Sequence, residues 1–165
     1  MQYYMTYVLG HQTVSGKKAQ MGTIVHKVME CLARCKKAIQ DNKRTTVDDA
    51  LGKLKATKKL LYTKDFVNEL TDQSYNYYTS NCVHNYTKSD YNTCKKWVWM
   101  ALDYNNGQFD PRERKIVEPE PHFDIEIDRP WAKVNYTLPN GEEFTGRLAI
   151  KGTIDLVTLV NEDTI

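Results

Sequence analysis

Leu148-Ala149-Ile150-Lys151-Gly152-Thr153-Ile154-Asp155-Leu156-Val157 is the stretch on which the reading of this chain turns. It is apolar and β-branched, as a strand should be, yet it carries a glycine and an aspartate three residues apart. A carboxylate inside a buried strand is costly unless a cation or hydrogen bonds compensate. The pattern therefore predicts a core strand in which Asp155 is placed for chemistry. Its counterpart is Gly22-Thr23-Ile24-Val25-His26-Lys27-Val28-Met29-Glu30, more than a hundred residues earlier.

Working outward, the first 105 residues read as helical and those after Pro111 as extended. Between Met21 and Ile39, Ile24, Val25, Val28, Met29, Leu32 and Ala33 recur at helical spacing, with Lys27, Arg34, Lys36 and Lys37 largely on the other face. A second helix is predicted over about Val47–Tyr62, capped by Thr45 or Thr46, with Lys53, Lys55, Lys58 and Lys59 exposed. A third should begin near Asp65. A fourth should begin near Ser89-Asp90 and stop at Asn105-Asn106-Gly107. Lys115–Asp128 reads as an extended segment interrupted by Pro119 and Pro121. Ala132–Leu138, the turn Pro139-Asn140-Gly141 and Glu143–Leu159 read as an antiparallel hairpin or meander, followed by a turn at Asn161-Glu162-Asp163. Helices first and strands later predicts an α/β chain in α+β order. At 165 residues it should be one domain. Its predicted parts are residues 1–40 with the motif helix, a helical insertion over 41–110, and core strands over 111–165.

Composition limits the function classes. Charged residues are 27% and aromatics 11% of the chain, as in a globular protein. No apolar run approaches the ~20 residues that span a bilayer, and the first residues lack the basic start and apolar core of a secretory signal. A cytoplasmic setting follows as the expectation. Residues 1–115 hold 19 Lys/Arg against 11 Asp/Glu, whereas 116–165 hold 4 against 10. A basic part that grips a polyanion and an acidic part that holds cations would give this distribution; so would solvated helices beside an ordinary sheet. Seven of the eleven tyrosines lie between Tyr62 and Tyr104. They can stack on unpaired bases or pack helix against helix, and packing is the simpler reading. Cys31, Cys35, Cys82 and Cys94 form no paired C-x-x-C motif, so reduced, mostly packed thiols are expected rather than a zinc or iron–sulfur site completed by His84.

On a helix His26 and Glu30 project from nearly the same face, one turn apart, with Gly22 a turn before them leaving room for a close approach. The ordered set Gly22, His26 and Glu30, then Glu118 or Glu120 ahead of Phe123-Asp124-Ile125, then Gly152 and Asp155, resembles the RecB-type branch of the PD-(D/E)XK nuclease superfamily over about residues 15–163. The resemblance implies metal-dependent hydrolysis of DNA in recombination, repair or phage replication, from an end or on single-stranded tails. It implies Mg²⁺ or Mn²⁺ held by Asp155 and His26, with Glu30, Glu118 and Glu120 in support. It also implies basic residues such as Lys17, Lys18, Lys27 and Lys151 positioning the DNA through its phosphates. In that family Gly-x-x-Asp is followed by a strand bearing Glu/Asp-x-Lys. The single Glu-x-Lys here, Glu113-Arg114-Lys115, precedes the aspartate strand. The resemblance therefore implies a further segment or a second polypeptide that completes the site, and weak or no cleavage by the chain alone. A non-catalytic nucleic-acid-binding or assembly subunit with a degenerate nuclease fold is the alternative.

Overall fold

The computed structural model describes residues 16–41, 45–80 and 82–159. They divide into two units between Lys115 and Ile116. The predicted turn Asn161-Glu162-Asp163 lies outside the described residues.

The first unit is organised by helix α1, Lys17–Gln40. Met21, Ile24, Val28, Cys31, Leu32 and Cys35 fall at three- and four-residue intervals and are all buried, which makes one continuous apolar stripe. Against that stripe pack α3, Lys64–Thr79, and α4, Lys88–Asp103. The larger cluster joins Val28, Cys31, Leu32 and Cys35 to Leu61, Phe66, Val67, Leu70, Val98 and Leu102. Local chemistry sets the helix ends. The Thr63 side chain accepts from the Phe66 N–H at the start of α3. Thr87 and Asp90 form a reciprocal capping box at the start of α4. After α4, Asn105, Asn106 and Gly107 all adopt positive φ, and no helix passes through three left-handed residues.

The predicted second helix is not formed. Its first half is a hairpin, β1 (Thr46–Asp49) and β2 (Gly52–Lys55), and its second half is the single turn α2, Lys58–Leu61. Helical spacing and strand alternation compete over this segment, and three local features favour the strands. Thr45-Thr46-Val47 is β-branched, Val47 pairs with Leu54 whose side chain is buried, and Gly52 takes φ +112°, where a residue with a Cβ is strained. The four lysines are exposed as expected, since they alternate outward from the hairpin and the short turn.

The second unit is made of paired strands. β3 (Lys115–Pro119) neighbours β8 (Leu156–Leu159). β4 (His122–Glu126) pairs antiparallel with β7 (Ala149–Thr153), and β5 (Lys133–Thr137) with β6 (Glu143–Arg147). The hairpin predicted around Asn140-Gly141 is the β5–β6 pair. Gly141 supplies its positive φ, 86°. The interruption expected at Pro119 and Pro121 separates β3 from β4. The order of elements is thus α+β, as the sequence indicates, with one small hairpin set among the helices.

Gly52→Ala should cost about 1–2 kcal/mol through backbone strain at positive φ. Urea unfolding of the two proteins measures it, and an unchanged midpoint would show that the turn adapts without strain.

Candidate functional site

The helical half of the motif set lies on α1. His26 is half-buried and Glu30 is buried. Both oxygens of Glu30 are engaged: Oε2 accepts from Lys27 Nζ at 2.8 Å and Oε1 from Arg34 Nε at 2.8 Å. Lys27 Nζ also donates to Asp49 Oδ2 at 2.9 Å, and Arg34 lies 3.5 Å from the same oxygen. The second oxygen of Asp49 accepts the Leu51 N–H at 3.0 Å. Two cations and two carboxylates thus form a neutral quartet that ties the β1–β2 hairpin to the helix bearing His26. Burial by itself would raise the Asp49 carboxyl. The Leu51 N–H and the Lys27 and Arg34 charges more than offset that and hold it below its ordinary value. Burial opposes the charge on Lys27, but the bonds to Glu30 and Asp49 win and raise it.

Two expectations change here. Lys27 is not on the outer face of the helix: it is buried, because its ammonium has two carboxylates to meet, and it is not presented as a surface cation for phosphate. Glu30 faces Lys27 and Arg34 rather than standing open beside His26. Asp49 was invisible to sequence reasoning because the segment read as helix. The signal that could have exposed it was Asp48-Asp49-Ala50-Leu51-Gly52 read as a hairpin turn. Gly22 opens onto unfilled space, since a Cβ built there meets nothing within 4 Å.

The other half lies in the second unit. Asp155 is not inside a buried strand. It sits exposed in the bend between β7 and β8, and the apolar Ile150 and Ile154 before it are exposed as well. Among the described residues β7 pairs with β4 alone, and the side chains of Ala149, Ile150 and Lys151 are left exposed on its faces. What singles out Asp155 is its neighbour. The Glu120 N–H donates to the Asp155 carbonyl at 3.2 Å, and the Ile154 N–H to the Pro121 carbonyl at 3.1 Å. Two motif acids 35 residues apart are therefore stitched together by backbone. Glu120 is held between two prolines at φ 51°, a conformation uncommon for a side-chain-bearing residue. Glu118 is exposed on β3, the neighbour of β8. Gly152 has a packing role too: it stands opposite Phe123, and a Cβ there would lie 2.7 Å from the ring.

Of the remaining predicted cations, Lys17 is paired with Asp90 at 2.7 Å, Lys18 is exposed, and Lys151 pairs across the β4–β7 ladder with Asp124 at 2.7 Å. Cys31, Cys35 and Cys94 are buried among apolar residues. Burial pushes the Cys35 thiol up to about 12 and the Cys94 thiol up to about 11, so both are protonated at neutral pH and ill suited to bind a metal. Among the described residues no group of three or more His, Cys, Asp or Glu is arranged to hold a metal ion. No helix among them is long and apolar enough to cross a membrane.

Helices followed by small antiparallel sheets, in α+β order, are consistent with a PD-(D/E)XK nuclease fold. The family model of the PD-(D/E)XK nuclease superfamily matches residues 1–165, and the chain belongs to that superfamily. Its members are generally divalent-metal nucleases that act on DNA. Comparison with curated proteins and with solved structures finds no match.

Asp49→Ala should destabilise the fold by about 2–3 kcal/mol. That is less than the roughly 3–5 of a fully buried broken pair, because Arg34 can turn toward water. A depressed carboxyl stabilises above its unfolded value and loses that contribution as pH falls through the folded one. Stability should therefore drop below about pH 4 in the native protein, and less steeply in Asp49→Asn, as read by urea midpoints across that range.

Proposed function

We propose that the chain carries the RecB-type site of a metal-dependent deoxyribonuclease, with Asp155 and His26 as metal ligands and Glu118 and Glu120 in support. The observation that supports it best is the backbone bond joining Glu120 to Asp155, which sets two motif acids side by side in a chain that belongs to a nuclease superfamily. Carboxylate oxygens and one imidazole form a donor set suited to Mg²⁺ or Mn²⁺. Such an ion, when bound, polarises a phosphate and lowers the pKa of water. The described residues supply acids and an imidazole for such a site. Glu30 has a different role from the one its spacing suggested: it keeps α1 and the hairpin together through Lys27 and Arg34. The setting proposed is recombination, repair or phage replication in the cytoplasm of a bacterial cell or phage-infected host, with exonucleolytic action.

The second reading, a non-catalytic DNA-binding or assembly subunit, draws on the same quartet, since Glu30 is committed to ion pairs rather than open to a metal. Cleavage of labelled single- and double-stranded DNA in Mn²⁺ separates the two. The assay uses the whole chain. Asp155→Ala should lower cleavage at least about a hundredfold, by loss of the metal's contribution of several kcal/mol, while leaving the melting curve in place. Cleavage that ignores both Mn²⁺ and this substitution would exclude the nuclease reading.

A further inference from the structure

Between the end of α3 and the start of α4 lies a cavity of about 520 Å³ whose walls include Tyr75, Tyr86, Tyr91 and His84 and whose rim includes Asn85 and Lys88. Its volume is within the roughly 300–1,000 Å³ range of small-ligand sites. The tyrosine rings meet edge to face, Tyr75 with Tyr86 at 5.8 Å and Tyr75 with Tyr91 at 5.2 Å between centroids. Each ring is also fixed at its far end. Tyr86 Oη donates to Gln20 Oε1 at 2.9 Å, Tyr75 Oη to the Thr87 carbonyl at 3.3 Å, and Tyr91 Oη to Asp72. The hydroxyls thus serve to anchor the rings; Asn85, Thr87 and Lys88 line the cavity beside them, and the Lys17 ammonium lies 5.2 Å from the Tyr86 ring centroid. Two polar groups stand ready at the rim: the exposed side chains of Asn85 and Lys88 make no hydrogen bond or ion pair among the described residues. The nearby acids are already matched, Asp90 by Lys17 and Thr87, Asp72 by Tyr91.

We propose that this cavity is a stacking subsite for one unpaired nucleotide of single-stranded DNA. A ring among Tyr75, Tyr86 and Tyr91 receives the base, Asn85 bonds its edge and Lys88 meets the phosphate. Fixed aromatic surfaces hold bases of any identity, because every base has a π-face, and an adjacent ammonium adds the backbone contact. An aliphatic ligand would leave the amide and ammonium without partners. The proposal rests on the nuclease reading for its choice of DNA, and it adds a site on the helical unit that prefers an unpaired strand.

The test is fluorescence anisotropy of the whole chain with labelled oligodeoxythymidylate in EDTA, beside an abasic strand of equal length and a duplex. Tyr86→Leu should weaken oligodeoxythymidylate binding roughly 5- to 100-fold, Tyr86→Phe should bind like the native protein, and the abasic strand should bind as weakly as the leucine variant. Asn85→Ala and Lys88→Ala, both at exposed positions, should weaken binding without moving the melting curve. Lys88→Ala should also reduce the salt slope by about 0.7. Equal affinity for the thymidylate and abasic strands, or native affinity in the Asn85→Ala/Lys88→Ala double variant, overturns the subsite while leaving duplex binding and Asp155-dependent cleavage untouched. Absence of binding to every DNA overturns both the subsite and the nuclease reading.

Discussion

The neutral quartet of Lys27, Glu30, Arg34 and Asp49 is the interaction on which the helical unit depends most. A buried cation without a carboxylate, or the reverse, would be severely unfavourable, so the four groups are obligatory partners once any of them is inside. The consequence is geometric. Asp49 comes from a hairpin turn and Glu30 from the long helix, so satisfying the charges fixes where the hairpin lies on α1. Leu54 and Ala56 then fall into the same apolar cluster as Val28, Leu32 and Cys35. Charge pairing and apolar burial thus select one arrangement, which a four-residue hairpin would not hold by itself.

That constraint alters how the motif on α1 should be understood. A histidine and a glutamate at helical spacing invite the view that both face one ligand. Here the glutamate is drawn to cations at its own i−3 and i+4 positions, Lys27 and Arg34. Glu30 thereby keeps the helix and the hairpin in register.

The helices were legible because their information is local. The apolar stripe of α1 and the asparagine–glycine stop after α4 each act within a few residues. The hairpin at 46–55 was not legible, because Val47, Leu51 and Leu54 suit either periodicity and the deciding partner, Lys27, lies 22 residues away from Asp49. The burial of Asp155 was misjudged for a related reason. An apolar, β-branched run states that a strand can be covered, and only what packs on its faces decides whether it is. Among the described residues β7 pairs with β4 alone, and Ile150 remains on the surface.

Asp155 lies in a turn and not within a ladder, where a side chain must point to one face or the other. The bend between β7 and β8 is fixed through backbone bonds to the Pro119-Glu120-Pro121 corner, where prolines restrict the chain on both sides of a left-handed glutamate. The prolines on either side of Glu120 and the backbone bonds from Glu120 to Asp155 and from Ile154 to Pro121 hold the two acidic residues next to each other.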